Sequence, residues 1–241
     1  GVIKRSRGVA DKMSKGVQFL MKKNKIDVVM GNGKLIAPTK LEVTAADGSK
    51  QVLEAKNIII ATGGRARQLP SMPIDGKKII GYREAMVLPK QPKSMIICGS
   101  GAIGSEFAYF YNALGTKVTV VEFMPRMVPV EDEEISKELE KSFKKQGIIT
   151  MTNSAVEKVD TSGNGCKVTV KTPQGVQTID CDIVLSAAGV ATNIEKIGLE
   201  ETGIKTDKGK VTVDDFYRTN VAGYFAIGDI VHGPALAHVA S

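Results

Sequence analysis

A glycine-rich turn between an apolar run and a helical run constrains the fold of this 241-residue chain more than any other feature. Ser94–Cys98 has the length and apolar character of a buried strand, and residues 102–114 have helical spacing. The turn between them reads Gly-Ser-Gly-Ala-Ile-Gly over residues 99–104, and a second apolar run covers 117–122. Strand, turn, helix and strand within about 30 residues predict a βαβ unit with parallel strands, and hence an α/β fold.

Each glycine of this turn has its own predicted role. Gly99 permits the tight turn, Gly101 lets the backbone approach a pyrophosphate, and Gly104 lets helix and strand pack closely. The helix N-terminus offers free N–H groups to the phosphates. Glu122 ends the next strand and is expected to accept hydrogen bonds from the adenosine ribose. The pattern therefore predicts a dinucleotide site. The Glu122 carboxylate favours NAD over NADP, because it would repel a 2′-phosphate. The alternative, a glycine turn that only packs, would not require an acid at residue 122.

Charge and composition narrow the functional class. The net charge of +7 comes from residues 1–25, which hold eight basic residues and one acid, so the remainder is neutral. We interpret this stretch as the solvated face of a helix over residues 6–24 and expect no nucleic-acid partner. Three cysteines exclude a disulfide scaffold, and no run is long and apolar enough for a membrane helix or an export signal. Localisation is therefore expected in the cytoplasm, or in the mitochondrial matrix if the source is eukaryotic.

Other runs predict further elements on both sides of this unit. Alternating runs at 26–30, 34–37, 41–45 and 51–60 predict a small antiparallel meander, with turns at Gly31-Asn32-Gly33 and Asp47-Gly48. A helix is predicted at 132–146, short strands return from 148 to 185, and an apolar strand covers 223–229. Prolines between residues 70 and 92 predict a domain crossing.

The order of these motifs, with Ala61-Thr62-Gly63-Gly64 after one strand and Asp229 after another, resembles the flavoprotein disulfide reductases that bind two dinucleotides. The stretches 5–35 and 122–148 most resemble the dihydrolipoamide dehydrogenase branch of that family. This resemblance implies a Rossmann-like NAD-binding domain at residues 90–213. That domain would be inserted in an incomplete FAD-binding domain formed by residues 1–89 and 214–241.

The resemblance also implies which residues bind each cofactor. For FAD these are Gly33, Thr62, Gly63, Gly64, Asp229, Ala235, Leu236, Ala237 and His238. For NAD they are Gly99, Ser100, Gly101, Ala102, Ile103, Gly104, Ser105, Glu106, Glu122, Val156 and Gly189. One departure follows Gly189: the family pattern Gly-Arg-x-Pro-Asn is replaced by Gly-Val-Ala-Thr-Asn, which ends at Asn193.

The activity implied is NAD-linked oxidation of protein-bound dihydrolipoamide through FAD and a redox disulfide. The partner would be the lipoyl domain of a 2-oxoacid dehydrogenase complex, and the parent enzyme would be a homodimer. The disulfide and the His–Glu base of the family have no counterpart here, since Cys98, Cys166 and Cys181 lack the C-x₄-C spacing. We therefore interpret the chain as an internal fragment, expected to be inactive alone, with no catalytic residue and no metal site. Two alternatives remain: another reductase or oxidase of the family, and a non-catalytic NAD(H)-binding module.

Overall fold

The computed structural model describes residues 1–240 and contains five α-helices, one 3₁₀ helix and seventeen strands in that part of the chain. The helices are α1 Val2–Lys23, α2 Tyr82–Ala85, α3 Ala102–Ala113, α4 Glu133–Lys145 and α5 Ala237–Ala240, with the 3₁₀ helix at Gly228–Ile230. The strands are β1 Asn32–Ala37, β2 Lys40–Thr44, β3 Lys50–Glu54, β4 Ile58–Ile60, β5 Gly64–Ala66, β6 Ile79–Ile80, β7 Ser94–Cys98, β8 Lys117–Val121, β9 Ile149–Met151, β10 Ala155–Asp160, β11 Cys166–Thr172, β12 Gly175–Cys181, β13 Ile183–Ser186, β14 Val190–Thr192, β15 Thr206–Asp207, β16 Lys210–Val211 and β17 Tyr224–Ala226.

The chain forms two compact units. One consists mainly of residues 66–190, and the other of residues 5–65 together with the chain from residue 191 onward. The limits of these units differ from the predicted boundaries between the FAD-binding and NAD-binding domains, at 89/90 and 213/214. Those boundaries assign residues to a cofactor and stay a prediction. Within residues 1–240, every helix is too short or too polar to cross a bilayer.

A five-stranded parallel sheet, in the order β6-β13-β7-β8-β9, forms the centre of the 66–190 unit. Successive side chains of each strand point to opposite faces of the sheet, and different elements pack on the two faces. Met95 and Ile97 of β7 pack in a cluster that includes residues of α3 and α4. Ile96 and Cys98 pack instead in a cluster with the antiparallel sheet β10-β11-β12. The predicted α/β unit, with its parallel strands, is therefore confirmed.

The two longer helices of this unit, α3 and α4, begin and end within one residue of their predicted limits. The side chain of Asp132 caps α4 by accepting a hydrogen bond from the Glu134 amide at 2.8 Å. Glu133 and Glu134 lie at its positive end and Lys144 and Lys145 at its negative end, which stabilises the helix dipole.

The second unit contains the meander β1-β2-β3 and the parallel pair β4 and β17. Its core includes Leu35 of the meander, Ile60 of β4, and Tyr224 and Ala226 of β17. The α1 helix has no buried residue, and most of its large apolar side chains, including Met13 and Phe19, are exposed.

Three sequence predictions for this unit are wrong. The predicted turn at Gly31-Asn32-Gly33 is not formed as such, because Asn32 and Gly33 already pair with β2 as part of β1. Residues 26–30 are exposed and form no strand, since within residues 1–240 no strand pairs with them. The run 51–60 is not one strand but two, because β3 pairs with β2 whereas β4 leaves the meander and pairs with β17. An apolar, alternating run becomes a strand only where a neighbouring strand accepts its hydrogen bonds.

Candidate cofactor-binding sites

The glycine loop joins the carboxyl end of β7 to the start of α3, and two of its glycines are required by the backbone. Gly99 has φ +101°, and a Cβ there would lie 2.5 Å from the Ala187 carbonyl oxygen. A Cβ at Gly104 would overlap the Gly99 carbonyl oxygen. The close approach of helix and strand therefore leaves no room for a side chain at Gly99 or Gly104.

Gly101 differs from these two glycines. Its backbone has φ −60°, which any L-residue adopts, and a Cβ there would meet no atom within 4 Å. The first helical hydrogen bond runs from the Ser105 amide to the Gly101 carbonyl, so the amides of Ala102, Ile103 and Gly104 have no partner within the helix. Nothing in the protein requires a glycine at residue 101, whereas a phosphate approaching those amides would.

Glu122 follows β8 at the same edge of the sheet and braces this loop. One carboxylate oxygen, Oε2, accepts hydrogen bonds from the Ser100 amide and the Ser100 hydroxyl, both at 2.7 Å. The other, Oε1, accepts one from the Met124 amide at 2.8 Å. Glu122 is buried, with 6% of its surface exposed. Three of its four or so lone-pair sites are used, which leaves about one for a sugar hydroxyl.

Ser100 connects the glycine loop to the segment that follows Glu122. Its fully buried hydroxyl also accepts a hydrogen bond from the Val128 amide at 3.1 Å, and its carbonyl accepts one from the Ser105 hydroxyl at 2.8 Å. The sequence placed Ser100 and Ser105 in the site only as members of the loop and missed this bracing role. A hydroxyl between two glycines of such a loop is the signal that could have revealed it.

The remaining residues predicted for NAD lie in the same unit. Glu106 is exposed on α3, and Val156 is half-buried at a bulge in β10. Gly189 follows β13 with φ +98°, and a Cβ there would lie 3.7 Å from the Arg67 guanidinium carbon. Their contact with a nucleotide stays a prediction.

The second unit brings together the two other predicted motifs. Because β4 and β17 are parallel neighbours, with Ile60 opposite Ala226, the segments that follow them leave the sheet at the same edge. Thr62, Gly63 and Gly64 follow β4, and Asp229 lies in the 3₁₀ helix after β17. Asp229 is half-buried and makes no hydrogen bond or ion pair with any of residues 1–240. It is thus a carboxylate available to accept a hydrogen bond from a bound hydroxyl.

Asn193 holds the Thr62–Gly63 segment from both sides. Its amide nitrogen donates to the Thr62 carbonyl at 3.0 Å, and its backbone N–H donates to the Gly63 carbonyl at 2.8 Å. The Thr62 hydroxyl donates to the Asn193 carbonyl at 2.6 Å. Arg65 donates to the Asn193 side-chain oxygen at 2.8 Å. This clamp was not predicted from the sequence, although Asn193 is, with Gly189, one of the two residues of the family pattern that this chain keeps.

Arg65, which contacts Asn193, also forms an ion pair with Glu195. Arg65 donates two hydrogen bonds to the Glu195 carboxylate, at 2.7 and 3.1 Å. This guanidinium lowers the pKa of Glu195 to about 2. Both side chains are about half exposed, so the pair orients the segment more than it stabilises the fold.

The other residues predicted for FAD are exposed. Gly33 lies in β1, where a Cβ would approach the Leu41 Cδ1 at 3.3 Å. Ala235 and Leu236 precede the short helix α5, which contains Ala237 and His238. Their predicted role in holding a flavin is untested by these contacts.

The three cysteines are buried, and none is disulfide-bonded. Cys98 is the core residue that its strand predicts, and burial raises the pKa of its thiol to about 12. It is therefore unsuited to nucleophilic chemistry at neutral pH.

Comparison with known proteins shows that this chain is similar to pyridine nucleotide-disulphide oxidoreductases, and in particular to dihydrolipoyl dehydrogenases. The family model described as pyridine nucleotide-disulphide oxidoreductase matches residues 2–241. The dihydrolipoyl dehydrogenase of Zymomonas mobilis is 44% identical over 241 residues, which cover 100% of this chain and 52% of the relative. That of Rhizobium etli is 46% identical over 256 residues, which cover 99% and 53%. The chain thus spans about half the length of the curated relatives it matches.

Solved structures agree with these relatives. LpdA from Mycobacterium tuberculosis superposes with a TM-score of 0.91 at 33% identity, covering 99% of this chain and 53% of the other. The flavoprotein disulfide reductase RclA of Escherichia coli superposes with a TM-score of 0.89 at 25% identity, covering 99% and 54%. The predicted FAD/NAD(P)-binding fold is confirmed, and these relatives imply FAD and NAD as cofactors. The chain belongs to the pyridine nucleotide-disulphide oxidoreductase family.

Proposed function

We propose that the protein to which this chain belongs oxidises protein-bound dihydrolipoamide and reduces NAD⁺. The dithiol loses two electrons and two protons and becomes a disulfide, while NAD⁺ gains a hydride and one proton is released. FAD, when bound, relays the electron pair between the dithiol chemistry and NAD⁺. The role of this chain is to bind and orient both dinucleotides.

The observation that carries the dinucleotide-binding part of this proposal is the open space at Gly101 beside unused amides at the start of α3. Gly99 and Gly104 are explained by the protein's own backbone, but Gly101 is explained only by a ligand that approaches the main chain. A pyrophosphate fits, because it accepts hydrogen bonds from the amides and is attracted by the positive end of the helix dipole. Glu122 would then accept from an adenosine ribose hydroxyl through its remaining lone pair, and it would repel a 2′-phosphate.

The second unit supports a place for FAD. Asp229 and the Thr62–Gly64 segment leave adjacent parallel strands, and α/β proteins bind ligands at such carboxyl ends. Asp229 is available to accept from hydroxyl groups of the flavin side chain. Gly33 and the stretch 235–238 belong to this site by family resemblance.

The finer assignments are part of the same proposal. Residues 90–213 form the NAD domain, and residues 1–89 with 214–241 form part of the FAD domain. The electron donor is a lipoyl domain of a 2-oxoacid dehydrogenase complex, and the whole enzyme is a homodimer. It acts in the cytoplasm, or in the mitochondrial matrix if the source is eukaryotic.

Calorimetric titration of NADH and NADPH into the 241-residue chain tests the cofactor role. We expect NADH to bind at least tenfold more tightly than NADPH, and Gly101→Ala to weaken NADH binding at least tenfold, about 1.4 kcal/mol. Gly8→Ala is the matched control, since a Cβ there also meets no atom within 4 Å and should leave binding unchanged. Equal binding of NADH by Gly101→Ala and the unaltered chain would contradict this role for the loop.

A second measurement tests the activity separately. The whole protein, supplied with FAD, a dihydrolipoyl domain and NAD⁺, should form one NADH per dithiol oxidised. If NADH binds as expected but no dithiol is oxidised, the dinucleotide site stands and the proposed reaction is wrong.

A further inference from the structure

Two cysteines outside both dinucleotide sites face each other in the 66–190 unit. Cys166 is the first residue of β11, Cys181 is the last residue of β12, and the antiparallel register pairs them directly. Residues paired in this way have Cα atoms about 4.5–5.5 Å apart and side chains on the same face of the sheet. Disulfides in proteins join Cα atoms about 4.4–6.8 Å apart. The two thiols therefore lie within bonding reach without a change in the backbone path.

The surroundings of the two sulfur atoms differ. The Cys166 Sγ lies 3.7 Å from the Lys78 carbonyl oxygen and 3.8 Å from that of Asp182, while the Cys181 Sγ lies 3.3 Å from the Ile183 carbonyl oxygen. A hydrogen bond from the Cys181 thiol lowers the pKa of Cys166, and the nearby Lys78 ammonium lowers it further. The same hydrogen bond and burial raise the pKa of Cys181 above its usual range. The opposite shifts, together with the Lys78 ammonium beside Cys166, make Cys166 the nucleophile of the pair.

A cavity connects this pair to solvent. It has a volume of about 440 Å³, and both cysteines line it together with Asp160, Asp180, Asp182 and the loop at 162–165. Ser162, Gly163 and Asn164 of that loop are exposed. At its end, a Cβ on Gly165 would lie 2.5 Å from the Cys181 carbonyl oxygen, so the loop passes close to the pair. The cavity thus brings a small uncharged reagent up to two residues that are only 3% and 6% exposed.

We propose that Cys166 and Cys181 form a second dithiol, which a peroxide oxidises to a reversible disulfide. In the first step the Cys166 sulfur attacks the O–O bond of hydrogen peroxide, giving a sulfenic acid and water. In the second step the Cys181 sulfur attacks the sulfenic sulfur, the S–S bond forms and a second water leaves. In total, two thiols and one hydrogen peroxide give one disulfide and two waters, and the peroxide is reduced by two electrons.

The third cysteine is an internal control. Cys98 packs in the same buried cluster but lies on β7, a strand of the parallel sheet, and its register partners are Val121 and Ser186 rather than a cysteine. It does not line the cavity. The proposal therefore requires that peroxide consume two of the three thiols and leave Cys98 reduced.

In the test, the 241-residue chain is treated with equimolar to tenfold hydrogen peroxide, then unfolded in urea and blocked with iodoacetamide. The peptides are mapped by mass spectrometry. We expect one peptide pair cross-linked through Cys166 and Cys181, an intact mass lower by about 2 Da as two hydrogens leave, and a single alkylated cysteine, Cys98. Dithiothreitol should restore three alkylated cysteines. Oxidation should also raise the melting temperature, because a closed loop has less entropy when unfolded.

Two variants separate the steps. In Cys181→Ser, dimedone should trap a sulfenic acid on Cys166, and in Cys166→Ser no sulfenic acid should form on Cys181. Serine keeps a hydrogen-bond donor of similar size at each site, and circular dichroism checks the fold. A disulfide to Cys98, three alkylated cysteines after peroxide, or sulfenic acid chiefly on Cys181 would each overturn the proposal. The peptide map of the unaltered chain decides the outcome even if a variant fails to fold.

Discussion

The glycine loop of the 66–190 unit and the Thr62 segment of the other unit both lie at the ends of parallel strands, yet they are held in different ways. The brace from Ser100 to Glu122 joins residues 22 apart, whereas the clamp from Thr62 to Asn193 joins residues 131 apart. The first is buried and the second is exposed at the surface of its unit. A site whose hydrogen bonds join residues that are near in the sequence can therefore be predicted from a short motif. A site whose hydrogen bonds join residues distant in the sequence cannot.

The largest effect that tests this comparison is expected at Gly104. Replacing it with alanine places a Cβ against the Gly99 carbonyl oxygen, a backbone atom that cannot move without shifting β7 or α3. We expect a loss of about 3 kcal/mol in the free energy of unfolding, measured with urea. Gly16→Ala in the exposed α1 is the control and should stabilise by about 0.5–1 kcal/mol. Similar stability of Gly104→Ala and the unaltered chain would mean that the loop is not tightly packed.

Glu122→Ala should have the next largest effect. The buried Ser100 amide and hydroxyl lose their acceptor, which costs about 2 kcal/mol of unfolding free energy. NADH binding should weaken as well, since the loop loses its brace. The control is Glu138→Ala on the exposed face of α4, whose carboxylate only pairs with Lys141, and it should change stability by less than about 0.5 kcal/mol. If both variants unfold at the same urea concentration, the brace contributes nothing.

Asn193→Ala should have a smaller effect because its partners are exposed to water. The Thr62 carbonyl loses one donor and Arg65 loses one acceptor, but water replaces both, so we expect about 1 kcal/mol. Urea unfolding measures the change, and Asn57→Ala, an exposed asparagine with no such clamp, is the control. An effect as large as that of Glu122→Ala would show that the exposed clamp and the buried brace hold their sites with equal strength.

The smallest effect concerns the Arg65–Glu195 ion pair and depends on pH. Arg65 lowers the pKa of the Glu195 carboxyl to about 2 in the folded chain. The ion pair therefore stabilises the fold above the usual glutamate pKa. This stabilisation is lost as the pH falls from about 4.5 to about 2. Exposure of both side chains makes this the smallest of the expected effects. The difference in unfolding free energy between the unaltered chain and Glu195→Gln should therefore be present at pH 7 and vanish near pH 2. A difference that grows on acidification would contradict this sign.

Sequence reasoning was most successful where structure depends on near neighbours. Ser94–Cys98 is a strand with the predicted ends, and α3 and α4 begin and end within one residue of their predicted limits. It failed at residues 26–30, whose alternation suits a strand that has no partner within residues 1–240, and at the break between β3 and β4. Both errors concern which strand lies beside which, and local alternation carries no information about that.

The candidate sites show the same division. The dinucleotide loop and the strand-end motifs at Thr62 and Asp229 were recognised from their order in the sequence. The hydrogen bonds that Glu122 accepts from Ser100, and those between Thr62 and Asn193, were not predicted.

Sequence by itself determined the α/β class, the glycine loop, the limits of α3 and α4 and the family, because alternation, capping and glycine conformation act over a few residues. Tertiary structure alone decided that Gly101 opens onto free space, that Asn193 reaches Thr62, and that Cys166 faces Cys181 beside a cavity. These relations depend on where distant segments and strand registers bring atoms together. Contacts of that kind are set by the packing of the whole chain.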